Sequence, residues 1–207
     1  MKLTKLLERL DYKVVAGSDN IEITELVNDS RKVVPGSVFV CISGAVSDGH
    51  QYVKDVAEKG AAAVIVEKDV EVPEGLTVIK VEDTRYALAL MSAAYFGYPA
   101  EKLKTIGITG TKGKTTTTYM VKAILEEVGH KVGLIGTIEA IIGDKTIPSN
   151  NTTPESYTIQ KYFAQMVEAG CDCVVMEVSS QGLMLHRTAG IMFDIGIFTN
   201  LGEDHIG

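Results

Sequence analysis

The residues with the clearest chemical potential lie in the segment TIGITGTKGKTTT, residues 105–117. An apolar, strand-like run leads there into a glycine turn that opens directly onto a helix-forming sequence. Gly110 and Gly113 permit a tight turn whose backbone N–H groups point inward, and the N-terminus of the following helix favours an anion. Lys114 would reach the outer phosphates of a nucleotide, and Thr115 offers the hydroxyl that commonly holds Mg²⁺. The segment therefore predicts a phosphate-binding loop.

The spacing of this loop differs from the usual Walker form, which would place its first glycine at position 108. Ile108 stands there, so the loop has the shorter form G-x-x-G-K-T. A strand-to-helix turn that binds no ligand is the alternative interpretation. Phosphate binding is favoured because the strand, the Gly-Lys-Thr sequence and the helix coincide.

Several polar side chains lie at or just beyond the ends of predicted strands, where open α/β sheets bind their ligands. Glu177 follows the apolar run Val174–Met176, and a carboxylate in so apolar a strand needs a partner if it is buried. A metal ion would satisfy it, and a carboxylate that faces water or a lysine is the alternative. Ser179 and Ser180 offer hydroxyls in the next turn, where serines are also common as turn or capping residues.

Three further residues are weak signals when each is taken alone. His205 lies beyond a predicted strand at 195–199 and could be a surface residue rather than a ligand. Thr153 could simply cap a helix ahead of Pro154. Arg187 could be a solvated basic side chain. Only their combination with the glycine loop is informative.

Composition argues against several functional classes. The 207-residue chain has a formal net charge of −7 and an isoelectric point near 5.1, which argues against nucleic-acid binding through a basic surface. No apolar run is long enough to span a membrane, and residues 1–10 predict an amphipathic helix rather than a signal peptide. Cys41, Cys171 and Cys173 lack a metal-ligand spacing and are expected to be reduced thiols in a cytoplasmic protein.

Strand-like and helical segments alternate along the chain, which predicts an α/β fold: a small N-terminal α/β domain followed by a P-loop-type, mostly parallel α/β domain. Pro99 marks the boundary, which gives domains 1–98 and 99–207. The first domain would have strands at 38–42, 61–66 and 77–81 and helices at 51–59 and 84–96. The second would have helices at 114–128 and 155–169, a hairpin at 138–147 that turns at Gly143, and strands at 105–109, 131–136, 173–178 and 195–199. Because a polar turn ends the chain after a buried strand, the second domain is expected to be truncated.

These motifs, taken in order, resemble the Mur ligase family, which builds the peptide stem of peptidoglycan, and the resemblance covers the whole chain. In the second domain it rests on TGTKGKTTT at 109–117, GT at 136–137, NTTPE at 151–155, MEVSSQGL at 176–183, HR at 186–187 and TNLGEDH at 199–205. In the first domain it rests on DSR at 29–31, GSVFV at 36–40 and DGH at 48–50.

The resemblance implies a role for each candidate residue. ATP would be bound by Gly110, Thr111, Lys112, Gly113, Lys114, Thr115 and Thr116. Thr115, Glu177 and His205 would be ligands to Mg²⁺, directly or through water, and the catalytic set would be Lys114, Glu177 and His205. Ser30 would contact the UDP-linked substrate, with His50 as a weaker candidate. Asn151, Thr152, Thr153, Ser179 and Arg187 would hold the muramoyl dipeptide, the arginine meeting a carboxylate or phosphate.

The resemblance is greatest to ligases that add a diamino acid to UDP-N-acetylmuramoyl-L-alanyl-D-glutamate. The chain is expected to be a monomer. The γ-phosphoryl group of ATP would pass to the D-glutamate side chain, and an amine of the diamino acid would attack the resulting acyl phosphate. Both meso-diaminopimelate and lysine remain open as that amine. The family's carbamylated lysine and its amino-acid domain would lie beyond Gly207. The 207-residue chain is therefore expected not to ligate, and tripeptide synthesis by it would contradict this expectation.

Two departures and three alternatives accompany the resemblance. Lys112 stands where many relatives have asparagine, and Gln181 replaces a common histidine, so Gln181 is assigned no proton transfer.

A P-loop NTPase or kinase is one alternative, although such proteins generally end the metal-binding strand in aspartate rather than a residue like Glu177. A nucleotide-sugar-binding module without catalysis is another. Folylpolyglutamate and cyanophycin synthetases share the phosphate loop but do not account for the first-domain motifs.

Overall fold

The computed structural model describes residues 1–44 and 47–202. The chain divides into two compact units, Met1–Tyr95 and Phe96–Gly207. This boundary falls slightly before the predicted one between 98 and 99. Phe96 belongs to the second unit because its ring packs edge-on against Tyr157, with the ring centroids 5.2 Å apart.

The first unit is a five-stranded sheet with strand order β1-β5-β4-β3-β2. Strands β2 to β5 pair in parallel, and β1 pairs antiparallel with β5. Short apolar runs form the central strands, and their valines, isoleucines and phenylalanine are fully buried. The elements are α1 (Leu3–Leu6), β1 (Lys13–Ala16), β2 (Leu26–Val27), β3 (Val38–Val40), α2 (Val53–Glu58), β4 (Ala63–Val66), β5 (Thr77–Lys80) and α3 (Thr84–Tyr95), with 3₁₀ turns at Ser30–Lys32 and Gly49–Tyr52.

The N-terminal helix is much shorter than the predicted helix over residues 1–10. The start of the chain is drawn into an extended bridge between Lys2 and Glu22, and the backbone N–H of Leu3 donates to the carbonyl of Ile21. Only one helical turn remains, and its leucines are buried. Tertiary pairing has overridden the helical periodicity here.

The second unit is a six-stranded sheet with strand order β11-β6-β10-β7-β8-β9. The first four strands in this order pair in parallel, and β8 and β9 form an antiparallel hairpin that turns at Gly143, as predicted. The elements are β6 (Lys104–Thr109), α4 (Lys114–Glu127), β7 (Val132–Ile135), β8 (Glu139–Ile142), β9 (Lys145–Pro148), α5 (Ser156–Glu168), β10 (Cys173–Glu177), α6 (Ser180–Met184) and β11 (Ile195–Phe198), with a 3₁₀ turn at Pro99–Lys102.

Helices cover both faces of this second sheet, and the side chains of β10 alternate between them. Val174 and Met176 pack in one core with Phe163 of α5, whereas Cys173 and Val175 pack in another with residues of α4. The predicted α/β class with mostly parallel sheets is therefore confirmed.

The parallel strands of the second unit end at the same edge of the sheet. Glu177 in β10 is in register with Ile108 in β6, and Phe198 in β11 with Thr109. The loops that follow β6, β7, β10 and β11 are consequently gathered at one edge, where a doubly wound sheet binds its ligand.

Within residues 1–44 and 47–202, the helices are all too short or too polar to cross a lipid bilayer. The helix α4, for example, has 14 residues, whereas a spanning helix needs about 20 apolar residues.

Candidate functional site

The glycine loop connects the end of β6 to the start of α4. Gly110 and Gly113 have φ values of 131° and 83°, which side-chain-bearing residues rarely adopt. A Cβ on Gly110 would collide with the hydroxyl of Thr199, whereas a Cβ on Gly113 would meet open space. The first glycine is therefore required by packing, and the second leaves the mouth of the loop clear for a ligand.

The segment after β11 holds the loop in place. Asn200 accepts hydrogen bonds from two loop N–H groups: its carbonyl from Thr111 at 3.0 Å and its side-chain oxygen from Lys112 at 3.0 Å. The hydroxyl of Thr199 donates to the carbonyl of Lys112 at 2.7 Å. The N–H groups left for an anion are those of Gly113 and the first turn of α4, which lack intrahelical acceptors.

Lys114 and Thr115 begin α4 and direct their side chains to different partners. The ammonium group of Lys114 donates to the carbonyl of Gly110 at 2.7 Å, so the Lys114 side chain reaches from the start of α4 back to the first glycine of the loop. The hydroxyl of Thr115 donates to Oε2 of Glu177 at 2.9 Å. Thr116, the next residue along, is exposed.

Glu177 is buried at the end of β10, with 1% of its surface exposed. Besides Thr115, its donors are the backbone N–H of Thr137 at 2.8 Å and the Thr137 hydroxyl at 3.1 Å. Gly136 permits this approach because a Cβ there would collide with the Glu177 carboxylate. The alternative in which Glu177 faces water is therefore wrong.

The surroundings of Glu177 fit a magnesium ion. All three donors to the carboxylate are uncharged, so the negative charge has no cationic partner among them. The Thr115 hydroxyl and the Glu177 carboxylate are both oxygen ligands, the type that Mg²⁺ prefers. They lie where the glycine loop passes into α4, beside the expected position of a nucleotide phosphate.

Tyr119 lies one turn beyond Thr115 on α4. Its hydroxyl donates to Oε1 of Glu139 at 2.8 Å, which joins the helix to strand β8. Burial, the hydrogen bond to Glu139 and the negative charges of Glu139 and Glu177 raise the pKa of Tyr119 to about 12. The tyrosine therefore stays protonated beside the carboxylates.

Thr153 and Ser179, two predicted substrate contacts, form hydrogen bonds with each other and with the backbone next to Glu177. The Thr153 hydroxyl accepts from the Ser179 N–H at 2.9 Å and lies 3.0 Å from the carbonyl of Glu177. Ser179 caps the short helix α6 by accepting from the N–H of Gly182 at 3.1 Å. Their hydroxyls thus position the backbone around Glu177.

Arg187 is held against the loop that contains Thr153. Its Nη1 donates to the Thr153 carbonyl at 2.9 Å, and its Nη2 pairs with Glu155 at 2.6 Å. The third donor, Nε, is buried and has no hydrogen-bond partner in the part of the chain that the structure describes. Because this Nε atom is shielded from solvent, an anion could reach it only if the guanidinium group moved.

A cleft of about 830 Å³ is lined by Lys114, Thr137, Thr153, Ser179 and Arg187, while Thr115 and Glu177 lie outside its lining. Lys114 and Thr137 line it on the side of the glycine loop, and Asn151, Thr152 and Arg187 line it on the other. Thr137 Oγ1 lies 3.0 Å from Thr152 Oγ1, so the two sides meet at this pair of hydroxyls. The structure therefore brings together the nucleotide and dipeptide candidates of the second unit.

Two candidates belong to the first unit. Ser30 begins the 3₁₀ turn after β2, is half-buried, and its carbonyl accepts from Lys59 Nζ at 2.8 Å. Both ring nitrogens of His50 are engaged, because Nδ1 lies 2.6 Å from Asp48 and Nε2 accepts from the Glu67 N–H at 3.1 Å. The weaker prediction that His50 contacts substrate is thus not supported. His205, the third predicted metal ligand, lies outside the described residues.

Sequence reasoning assigned no site role to Thr137, Gly136, Asn200 or Glu155. Thr137 is the most important omission, because it supplies two of the three donors to Glu177. The Gly-Thr pair directly after strand β7 was the available signal, since a small residue at a strand end permits close approach of another group.

Solved structures support the fold. A structure of a UDP-N-acetylmuramoyl-L-alanyl-D-glutamate–2,6-diaminopimelate ligase aligns with a TM-score of 0.82 at 23% identity, over 100% of this chain and 42% of that one. The MurF ligase of Thermotoga maritima, solved in complex with ADP, aligns with a TM-score of 0.56 at 24% identity, over 87% of this chain and 38% of that one. At such identities the likeness shows the fold alone.

Sequence relatives are much closer. The UDP-N-acetylmuramoyl-L-alanyl-D-glutamate–2,6-diaminopimelate ligase of Clostridium perfringens is 50% identical over 206 residues, which is 100% of this chain and 43% of that protein. The ligase of the same name from Bacillus licheniformis is 48% identical over 207 residues, 100% of this chain and 42% of that protein. The chain thus spans less than half the length of these curated relatives.

Family models match both units. The model of the Mur ligase middle domain matches residues 108–207, which include the glycine loop and Glu177. The model described as the catalytic domain of the Mur ligase family matches residues 22–98. With a family match in each unit and close relatives along its full length, the chain belongs to the Mur ligase family.

Proposed function

We propose that this chain supplies the nucleotide site of an ATP-dependent amide ligase that adds 2,6-diaminopimelate to UDP-N-acetylmuramoyl-L-alanyl-D-glutamate. The observation that carries the proposal is the cleft that Gly110 and Lys114 of the glycine loop line together with Arg187, next to the Thr137 that binds the buried carboxylate of Glu177. The names of the close relatives support diaminopimelate as the amine rather than lysine.

ATP would lie with its phosphates against the glycine loop. The N–H groups of Gly113 and of the first turn of α4 would bind phosphate oxygens, and Lys114 would turn its ammonium group from the Gly110 carbonyl toward the outer phosphates. The proposed ATP-binding set is Gly110, Thr111, Lys112, Gly113, Lys114, Thr115 and Thr116.

Thr115 and Glu177 would hold Mg²⁺. When bound, the ion supplies positive charge that neutralises the phosphates and so lowers the barrier to their attack by an anion. The buried carboxylate, oriented by Thr137, supports this assignment because its donors carry no charge. His205 remains a predicted third ligand.

The muramoyl dipeptide would occupy the opposite side of the cleft. Arg187, which lines the cleft, would meet a substrate carboxylate after its guanidinium group turned to expose a donor, and this contact would orient the D-glutamate side chain toward the nucleotide. Asn151 and Thr152 would bind polar groups of the substrate, while Thr153 and Ser179 would fix the surrounding backbone. Ser30 in the first unit is proposed to contact the UDP portion.

The proposed reaction has two steps, and these residues bind and orient the reactants in both. A carboxylate oxygen of D-glutamate attacks the γ-phosphorus of ATP, the bond to the β–γ bridging oxygen breaks, and ADP leaves. The amine nitrogen then attacks the acyl carbon, the bond from that carbon to the phosphate oxygen breaks, and phosphate leaves together with the proton lost by the amine. The chief contribution of Lys114 is to stabilise the charge that develops on the transferred group.

A cytoplasmic location is part of the proposal, because the reaction requires ATP and the three cysteines are unpaired thiols. The monomeric state remains a prediction.

Calorimetry with MgATP and the 207-residue chain tests the nucleotide site. Lys114→Ala should weaken binding about 10- to 100-fold, since hydrogen bonds to charged groups contribute about 1.5–3 kcal/mol. Lys122→Ala is the matched control, because Lys122 lies on the same helix but pairs with Glu126. Equal affinity in wild type and Lys114→Ala would overturn the assignment.

A second calorimetric titration, with UDP-N-acetylmuramoyl-L-alanyl-D-glutamate, tests the proposed ligase function. Binding should be lost in Arg187→Ala and weakened in Ser30→Ala. ATP hydrolysis by the wild-type chain with no binding of this substrate would favour the alternative of a plain P-loop NTPase.

A further inference from the structure

Three potential metal ligands cluster at the edge of the second sheet opposite the glycine loop. His130 precedes β7, and Asp172 and Cys173 stand at the start of β10. Because β7 and β10 are parallel, their amino ends meet at this edge, away from Glu177. One ligand atom from each of the three residues lies within 4.8 Å of the other two. We propose that His130, Asp172 and Cys173 form a binding site for a transition-metal dication of the Zn²⁺ type.

The backbone on both sides of the cluster is fixed. Gly129, with φ of 94°, ends α4, and the N–H groups of Gly129 and His130 donate to the carbonyls of Glu126 and Leu125 at 3.0 Å each. This is a Schellman motif, so His130 stands at a defined position. The Asp172 N–H donates to the carbonyl of Lys131 at 3.0 Å, which ties the two segments together.

The side chains already face one another. Oδ1 of Asp172 accepts from the Lys131 N–H at 2.9 Å, which turns Oδ2 toward Nδ1 of His130 at 2.7 Å. The Cys173 sulfur lies within 4.8 Å of the ligand atoms of both Asp172 and His130. Ligand atoms around a tetrahedral zinc ion lie about 3.3 Å apart or more, given bonds of about 2.0–2.3 Å. His130 Nδ1 and Asp172 Oδ2, which are 2.7 Å apart, would therefore have to separate by about half an ångström or more, a movement open to the exposed imidazole.

The chemistry of this ligand set differs from that of the magnesium site. Nitrogen, oxygen and sulfur ligands together suit Zn²⁺, whereas Mg²⁺ takes oxygen ligands. A thiolate and a carboxylate would balance the two positive charges of the ion, with His130 neutral. The exposure of His130 and Asp172 leaves a fourth position for water. The thiol proton would leave to solvent, and the imidazole proton would reside on Nε2.

Metal binding would displace the thiol proton of Cys173, because the thiolate is the form that binds metal ions. Burial and the neighbouring carboxylate of Asp172 raise the pKa of this thiol. The other charged groups acting on this thiol are Lys104 and Asp194, which pair with each other at 3.2 Å. Their opposite charges largely offset one another.

Cobalt(II) titration of the reduced 207-residue chain tests the site, because thiolate-bound Co²⁺ absorbs in the near ultraviolet. We expect one equivalent to bind with this absorption, Zn²⁺ to displace it, and the calorimetric heat in buffers of different ionisation enthalpy to report release of about one proton. Cys173→Ala should abolish the band. Cys171→Ala is the matched control, since Cys171 is also buried but lies outside the cluster.

Two exposed positions keep the test decisive if Cys173→Ala fails to fold. His130→Gln and Asp172→Asn should retain the wild-type circular dichroism spectrum and weaken Co²⁺ binding about tenfold or more. Absence of a thiolate band in the wild type would overturn the proposal. So would wild-type affinity in both His130→Gln and Asp172→Asn.

Discussion

Glu67 in the first unit and Glu177 in the second stand at the ends of buried parallel strands and are held by the same set of donors. Glu67 follows β4 and accepts from the hydroxyls of Ser43 and Thr84 and from the Thr84 N–H. Glu177 ends β10 and accepts from the hydroxyls of Thr115 and Thr137 and from the Thr137 N–H. Two hydroxyls and one amide thus satisfy each carboxylate.

The surroundings of the two carboxylates differ. Thr84 begins α3, so Glu67 caps that helix, and the Glu67 N–H donates to His50 at 3.1 Å. Every contact of Glu67 joins elements of its own unit, which makes it a structural brace. Glu177 instead stands beside a glycine loop and a cleft lined by Lys114 and Arg187. A hydrogen-bonded strand-end carboxylate is therefore not a functional signal until its neighbours are known.

The largest expected difference concerns nucleotide binding. Glu177→Gln should remove the Mg²⁺-dependent part of ATP affinity, about 10- to 100-fold for a lost charged ligand, whereas Glu67→Gln should leave it unchanged. Calorimetry with ATP in the presence and absence of Mg²⁺ measures this difference. Equal losses in the two variants would erase the functional distinction between the carboxylates.

The next largest effect concerns stability, and it comes from the hydroxyls of Thr115 and Thr84, which donate to Glu177 and Glu67. Thr115→Val and Thr84→Val each remove a donor from a carboxylate, and each should lower the free energy of unfolding by about 1–3 kcal/mol. Denaturant unfolding monitored by circular dichroism tests this. Only Thr115→Val should also weaken MgATP binding, so a nucleotide effect of Thr84→Val would contradict the comparison.

A smaller effect should appear in the stability of the fold at acidic pH, where the Glu67 carboxylate becomes protonated. Burial tends to raise the pKa of Glu67, but the hydrogen bonds from Ser43 and Thr84 outweigh it, so the folded pKa lies below the usual value of 4.5. The resulting stability is present above that value and is lost as pH falls through the lowered folded pKa. Glu67→Gln should therefore flatten the acid side of the thermal-midpoint curve, in the range where pH falls below the usual glutamate pKa of 4.5. An unchanged slope would show that other groups dominate, Asp48 first among them, because Lys68 lowers the pKa of its carboxyl.

The smallest effect should come from Tyr119. Its raised pKa, about 12 in the folded chain against a usual 10, contributes stability below pH 10 that is lost as pH rises through 12. Tyr119→Phe should cost about 0.5–1.5 kcal/mol at neutral pH, the usual contribution of one hydrogen bond. Ultraviolet titration of wild type and Tyr119→Phe compares how their tyrosines ionise. Of the eight tyrosines in the wild type, the one missing from the variant should be among the last to lose its proton.

Much of the second unit could be predicted from the sequence. Its strands are apolar runs bounded by glycine or polar residues, and its helices α4 and α5 are long and periodic. The missed elements are short: β1 in the first unit has four residues, and α6 has five and contains Gly182. Such elements form because neighbouring groups hold them, as the Ser179 cap holds α6, and local pattern carries little of that information.

The site was predicted by residue type and order, but its internal contacts were not. Glu177 and Thr115 could be paired in advance because a phosphate loop and a strand-end carboxylate meet at the same edge of a sheet. Thr137 could not, because its role depends on the close approach that Gly136 allows. Likewise, nothing in the local sequence of His50 indicated that Asp48 and Glu67 occupy both ring nitrogens.

The attachment of the glycine loop to Thr199 and Asn200 makes the two segments thermodynamically linked. Thr111 and Lys112 are ordered through Asn200, so a chain in which residues 199–202 are displaced has a less prepared loop. Reciprocity then requires that a nucleotide in the loop stabilise the segment after β11 by the same free energy. A ligand in the phosphate loop would thereby also order residues 199–202.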